Sequence, residues 1–146
     1  MKQNNYKIGL ILLIGIFMNS CNLDIIENQY SDYDNAIKNG FNGNGYIPVE
    51  FMKKSMQDIR TILNIDINEA LIKFKISNTK EWNDLINALE KCDIKFIEPK
   101  SFTIPDWWDL KTKNSTTYCY SDKSGKIFHF SINLESKTIY SWNHLE

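Results

Sequence analysis

Three thiols are the most reactive side chains in this 146-residue chain, Cys21, Cys92 and Cys119. Only Cys21 stands in a context that prescribes its chemistry. It follows a basic start (Lys2, Lys7), an apolar run from Ile8 to Met18, and Ser20 directly before it. That order suits transfer of a diacylglyceryl group to the thiol and cleavage after Ser20. The 11-residue run would cover roughly 16 Å as a helix, at about 1.5 Å per residue. A bilayer core needs about 20 apolar residues, so the run is too short to span and fits the apolar region of a signal peptide.

Met18-Asn19-Ser20-Cys21 is similar to the lipobox of bacterial lipoproteins, with Asn19 departing from the small residue of that pattern. More than one acyl chain on Cys21 would anchor the protein stably, at about 0.8 kcal/mol per buried CH₂. By the same resemblance, Asn22 in place of Asp favours the outer membrane over the inner one. The expected division is a signal peptide over 1–20, a tether over 21–30 and a single domain over 31–146. Without Lys2 and Lys7 the chain keeps 15 basic and 18 acidic side chains, a net charge of −3. No basic patch stands out, so nucleic acid is not an expected partner. Lysine outnumbers arginine 16 to 1, the bias of an AT-rich genome, so a lysine in place of arginine carries little chemical information.

The other reactive groups are sparse. Cys92 and Cys119 are expected as free buried thiols, with a disulfide between them as the alternative that an envelope compartment permits. Cys119 and His129 are conceivable as a nucleophilic dyad on neighbouring strands, but Tyr118 and Tyr120 give no polar setting for a thiolate. Asp106 and Asp109 are a carboxylate pair for acid–base work, against the commoner reading of solvated loop charges. His129 and His144 are the only histidines and fall at no zinc-ligand spacing, so no metal is expected. Asn42-Gly43-Asn44-Gly45 lacks the Lys-Ser/Thr of a phosphate loop, and no cofactor is expected.

Two polar or aromatic groups are candidates for binding. Trp107 and Trp108 would suit an interface or a stacking platform if exposed, and would cap the apolar face of a sheet if buried. Asp66 and Asn68 would hold a ligand at a polar corner, or would bond the nearby backbone N–H groups of a turn.

These groups need elements to position them. Ser31 to Asn39 reads as a short helix with Ser31 as its cap and Gly40 as its stop. Met52, Met56, Ile59 and Leu63 recur at helical spacing and predict a helix within Val49 to Leu63. Ala70, Ile72, Phe74 and Ile76 alternate with polar neighbours and predict a strand with one buried face. Asn78 to Lys91 predicts the main helix, capped by Asn78, with Trp82, Leu85, Ile86 and Leu89 as its apolar stripe. Ile94, Phe96 and Ile97 fit a short strand. A C-terminal β-meander follows over Thr116–Ser121, Lys126–Leu134 and Thr138–Asn143. The expected fold is α+β: an antiparallel sheet of about four strands, one main helix on one face and short N-terminal helices, with no internal repeat.

Gly45-Tyr46-Ile47-Pro48, Met52-Lys53-Lys54-Ser55, Asp58-Ile59 and Ile65-Asp66-Ile67-Asn68 together resemble a family of small uncharacterised bacterial lipoproteins. Its pattern is Gly-aromatic-aliphatic-Pro, Leu-Pro-x-Ser-Ala, an acidic-aliphatic pair and Leu-Asp-Thr-Asn. Lys53, Met56 and Ile67 depart from it. The resemblance covers roughly 31–142 and implies no activity, substrate or cofactor. The reading reached is a lipid-anchored envelope protein whose domain binds a protein or a surface polymer without catalysis, in one form as an immunity protein. The alternatives are a small hydrolase using Cys119/His129 or Asp106/Asp109, and a structural accessory of an envelope complex.

Overall fold

The computed structural model describes residues 25–43, 45–109, 111 and 115–143. The expected signal peptide, Cys21 and His144 lie outside them. In chain order the elements are β1 (Ile25–Asp32), α1 (Tyr33–Lys38), a 3₁₀ turn (Val49–Phe51), β2 (Met56–Asn64), β3 (Glu69–Ile76), α2 (Thr79–Asn87), β4 (Glu90–Cys92), β5 (Thr117–Ser121), β6 (Ile127–Asn133) and β7 (Thr138–Asn143). All seven strands join one antiparallel sheet in the order β1-β2-β3-β7-β6-β5-β4. The expected α+β fold with about four strands is therefore corrected to a predominantly β fold.

Three strands account for the difference. The predicted helix within Val49 to Leu63 is instead β2. Its register shifts between Gln57 and Arg60, where Asp58 adopts φ 47°. This bulge inserts one residue, so Met56 and Ile59 reach the same face although three positions apart. A strand thereby acquires helix-like apolar spacing. Residues 25–30, read as tether, form most of β1, with Tyr30 buried against Ile59 and polar Glu27 and Gln29 on the opposite face. Such a polar composition is what a sheet edge tolerates. The main helix ends at Asn87, and Glu90–Cys92 leaves it to pair with β5 as β4.

Other elements form as expected. Asn78 Oδ1 accepts the Glu81 N–H at 3.0 Å and starts α2. The Glu81 carboxylate, however, accepts the Ser55 N–H and hydroxyl, at 3.3 and 2.5 Å, which ties the entry of β2 to the start of α2. Helix α1 is capped by Asp32, one residue later than expected, through the Asn35 N–H at 2.8 Å. The meander strands fall within a residue of their predicted limits.

Both faces of the sheet are covered. On the first, Ile59, Ile72, Phe74, Phe130 and Ile139 are buried under α1, α2 and the 41–52 segment. Phe51 packs on Tyr120 and Phe130 with ring centroids 4.7 and 5.3 Å away, so this segment reaches the second half of the sheet. Gly43, at φ 87°, lets the chain turn there; a Cβ would meet Ile47 O at 2.9 Å. On the second face, Ile62, Leu71, Tyr140 and Trp142 form a separate cluster with Trp108, packed by Phe96 and Ile104. The expectation of one buried face is thus corrected, as is the short strand at Ile94 to Ile97. The prolines at 99 and 105 keep 93–109 free of strand and helix, and its aromatics cover the second face.

The two halves of the sheet share one register. Tyr30 faces Ile59 and Ile62 faces Leu71; Tyr120 faces Phe128 and Ser131 faces Tyr140 at the matching places. Between the halves Ile72 faces Ser141, flanked by Leu71–Trp142 and Lys73–Tyr140. Exchanging each residue for its counterpart maps this ladder onto itself, so an approximate two-fold axis passes between Ile72 and Ser141. The hairpin turns agree. Asn64 accepts backbone N–H groups of the first turn and Asn133 of the second, and Asn68 (φ 54°) and Lys137 (φ 49°) close them. No repeat is legible in the sequence because the halves share register and turn geometry, and few side chains.

Glu69 fixes the covering segment to the sheet. Its carboxylate is buried and accepts the Lys100 N–H at 3.0 Å, the Ser101 N–H at 2.9 Å and the Ser101 hydroxyl at 2.6 Å. A hydrogen bond to a charged group contributes about 1.5–3 kcal/mol. Glu69→Gln should therefore cost about 2 kcal/mol in urea unfolding. Tryptophan emission should shift to the red as 93–109 loosens over Trp108. Unchanged stability and emission would contradict this role.

Candidate functional site

The second face and its margins hold most of the residues singled out from sequence. Trp108 is buried between Phe96 and Tyr140, at centroid distances of 5.4 and 5.2 Å. Trp107 is half-buried, and its Nε1–H donates to Glu27 Oε1 at 2.9 Å across to β1. The pair pins the covering segment to the sheet and offers no open stacking platform. Asp106 is exposed, whereas Asp109 Oδ1 accepts the Lys111 N–H at 2.9 Å, which closes a turn.

Asp66 and Asn68 occupy the β2–β3 turn. The N–H groups of Asp66 and Ile67 are bonded by Asn64 Oδ1, at 3.1 and 3.4 Å. The role expected of the two side chains thus belongs to Asn64, which is fully buried. Asn68 contributes its positive φ, and its carbonyl accepts from Asn143 Nδ2 at 3.3 Å.

Cys92 and Cys119 are joined in a disulfide across β4 and β5, with Cα atoms 5.8 Å apart. The preferred reading of two free thiols is corrected. The pairing is not legible in the sequence because Glu90–Cys92 becomes a strand only beside β5. His129 does lie opposite Cys119 on β6, as the dyad required. The sulfur is bonded to Cys92, so no thiolate is present to attack. His129 stacks on Trp142 at 6.0 Å, and burial holds its pKa below the ordinary histidine value, favouring the neutral ring. Among the described residues, no group of three His, Cys, Asp or Glu side chains comes together to hold a metal.

One constellation escaped the sequence reading. Asp58 Oδ1 accepts from Arg60 Nε at 3.2 Å, and Asp58 Oδ2 lies 3.0 Å from Lys73 Nζ and 3.5 Å from Lys75 Nζ. The β2 bulge presents the Asp58 carboxylate on the face that carries the three cations. Burial works against its charged form, but hydrogen bonds and charge from Lys73 and Arg60 outweigh that and lower its pKa. The signal in the sequence was the alternation that places Lys73 and Lys75 on one face. It points to a cluster only once β2 lies beside β3. Beside this cluster Tyr140 faces Lys73; burial, then the charges of Asp109 and Asp58, raise its pKa.

A second surface lies on the first face, where β1 meets α1. A cleft of about 440 Å³ is bordered by Asn28, Asn35 and Asn39 over a floor that includes Phe41 and Leu63. Its border residues are uncharged. Amides of this kind both donate and accept, which suits the backbone of another chain or a neutral polar ligand.

A family model described as the YbbD head domain matches residues 24–75. That stretch takes in β1, α1, β2 and nearly all of β3, and holds both the amide-bordered cleft and the Asp58 cluster. Its description names no activity. No curated protein and no solved structure matches the chain.

The depressed pKa of His129 fixes the sign of a pH effect. The folded state binds fewer protons than the unfolded chain, so stability should fall as pH drops below the ordinary histidine range. His129→Gln should flatten this loss between pH 7.5 and 5.5 in thermal melts. Equal slopes for the two proteins would contradict a half-buried neutral ring.

Proposed function

We propose that this chain is a lipid-anchored protein of the bacterial cell envelope, attached through Cys21, whose folded part is a non-catalytic binding module of the immunity type. The disulfide between Cys92 and Cys119 is the observation that carries the reading. Structural disulfides belong to oxidising compartments outside the cytoplasm, and the signal-like segment at residues 1–20 directs a chain there. The match to the YbbD head domain supports an envelope-associated protein and brings no catalytic assignment. With Cys119 consumed, the Cys119/His129 form of the hydrolase alternative loses its nucleophile.

Only Asn22, Leu23 and Asp24 separate Cys21 from the start of β1. Fully extended, they reach roughly 10 Å, at about 3.3–3.6 Å per residue. An acylated Cys21 would therefore hold the β1 edge of the sheet close to the headgroup layer. The amide-bordered cleft at that edge is where a toxin-like protein arriving at the membrane would be met.

The anchor is tested by feeding cells a tagged fatty acid. The wild type should carry the label and sediment with membranes, and Cys21→Ala should remain unlabelled and leave the membrane fraction. Equal labelling of the two proteins would overturn the proposal.

A further inference from the structure

We propose that Arg60, Lys73 and Lys75 form a binding site for a phosphoryl group. The three cations converge on Asp58, at 3.2, 3.0 and 3.5 Å, from two adjacent strands. Three positive charges thus share one negative charge. Asp58 supplies the only ionic or hydrogen-bonding side-chain partner of all three among the described residues. Like charges held this close repel one another unless an anion joins them. A phosphoryl group brings the missing charge and oxygens that can accept from several sides.

Each cation has a distinct part. Arg60 uses Nε on Asp58 and keeps its two terminal NH₂ groups, a planar fork suited to two phosphoryl oxygens. Lys73 is the deepest, its side chain 13 % exposed, and stands opposite Tyr140 of β7. Lys75 is the most open of the three, its side chain 43 % exposed. In a chain with 16 lysines, the single arginine stands at this position. Asp58 holds the cations in place from a bulge with positive φ, a backbone state uncommon for a residue other than glycine. The site does not depend on acylation of Cys21, so its failure and the failure of the lipid anchor are read separately.

The test is calorimetric titration of the full-length protein in dodecyl maltoside, at pH 7 and low, constant ionic strength with chloride as background. The probes are inorganic phosphate, for a free phosphate, and glycerophosphoglycerol, for a lipid headgroup. At least one should bind saturably, and the preferred probe identifies the source. Arg60→Gln should weaken that binding at least tenfold, and Lys75→Gln several-fold. Asp58→Asn should strengthen it, because it removes the competing carboxylate and keeps a residue that tolerates positive φ. Lys75→Gln alters the most exposed of the three cations and keeps the test decisive if Arg60→Gln does not fold. No saturable heat with either probe would overturn the proposal, as would wild-type affinity in the charge-removing variants.

Discussion

The antiparallel ladder between β3 and β7 is the constraint on which the rest of the structure depends. It joins residues 69–76 to the last strand, 138–143, and merges two three-stranded units into one sheet. Once merged, the central strands have neighbours on both sides and apolar residues on both faces. Ile72 and Ile139 belong to the first core and Leu71 and Tyr140 to the second, so alternate residues of the same strands need separate covers. The first cover is α1, α2 and the 41–52 segment. The second is the 93–109 segment, too rich in proline and aromatics to be regular, held down by Glu69 and by the Trp107–Glu27 bond.

The charged cluster follows from the same arrangement. A bulge in β2 is needed to bring Met56 and Ile59 to one face beside Phe74 and Ile76. Its by-product is an aspartate displayed on the opposite face. Lys73 and Lys75 are there because β3 alternates, and Arg60 because β2 resumes its alternation after the bulge. A packing requirement on one face thereby creates an electrostatic feature on the other. The disulfide has a similar local logic: β4 is only three residues long, too short to hold a sheet edge by hydrogen bonds alone, and Cys92–Cys119 fastens it to β5.

Much of the local structure was legible in the sequence. The alternation of Ala70 to Ile76, the Asn78 cap with the Trp82–Leu85 stripe, and the three meander strands all rest on short-range rules, and they formed where expected. The failures share one cause, the dependence of strand identity on distant partners. Met56, Ile59 and Leu63 mimic a helix because a bulge is invisible until β3 is placed opposite β2. Residues 25–30 look like a linker because an edge strand buries only one residue in two, here Tyr30. Glu90–Cys92 becomes a strand only because β5 is beside it. The candidate site suffered in turn. Asp58 and Arg60 could not be grouped with Lys73 and Lys75 while β2 was a helix. Trp107 and Trp108 could not be placed before the second apolar face was known.

Hydrogen exchange measured residue by residue by NMR tests the central ladder most directly. If β3 and β7 bind the two halves into one cooperative sheet, the paired amides of both strands should be the slowest to exchange and should open only with global unfolding. Slow exchange confined to β1–β3, with β7 and its neighbours opening at a distinctly lower free energy, would contradict a single merged sheet.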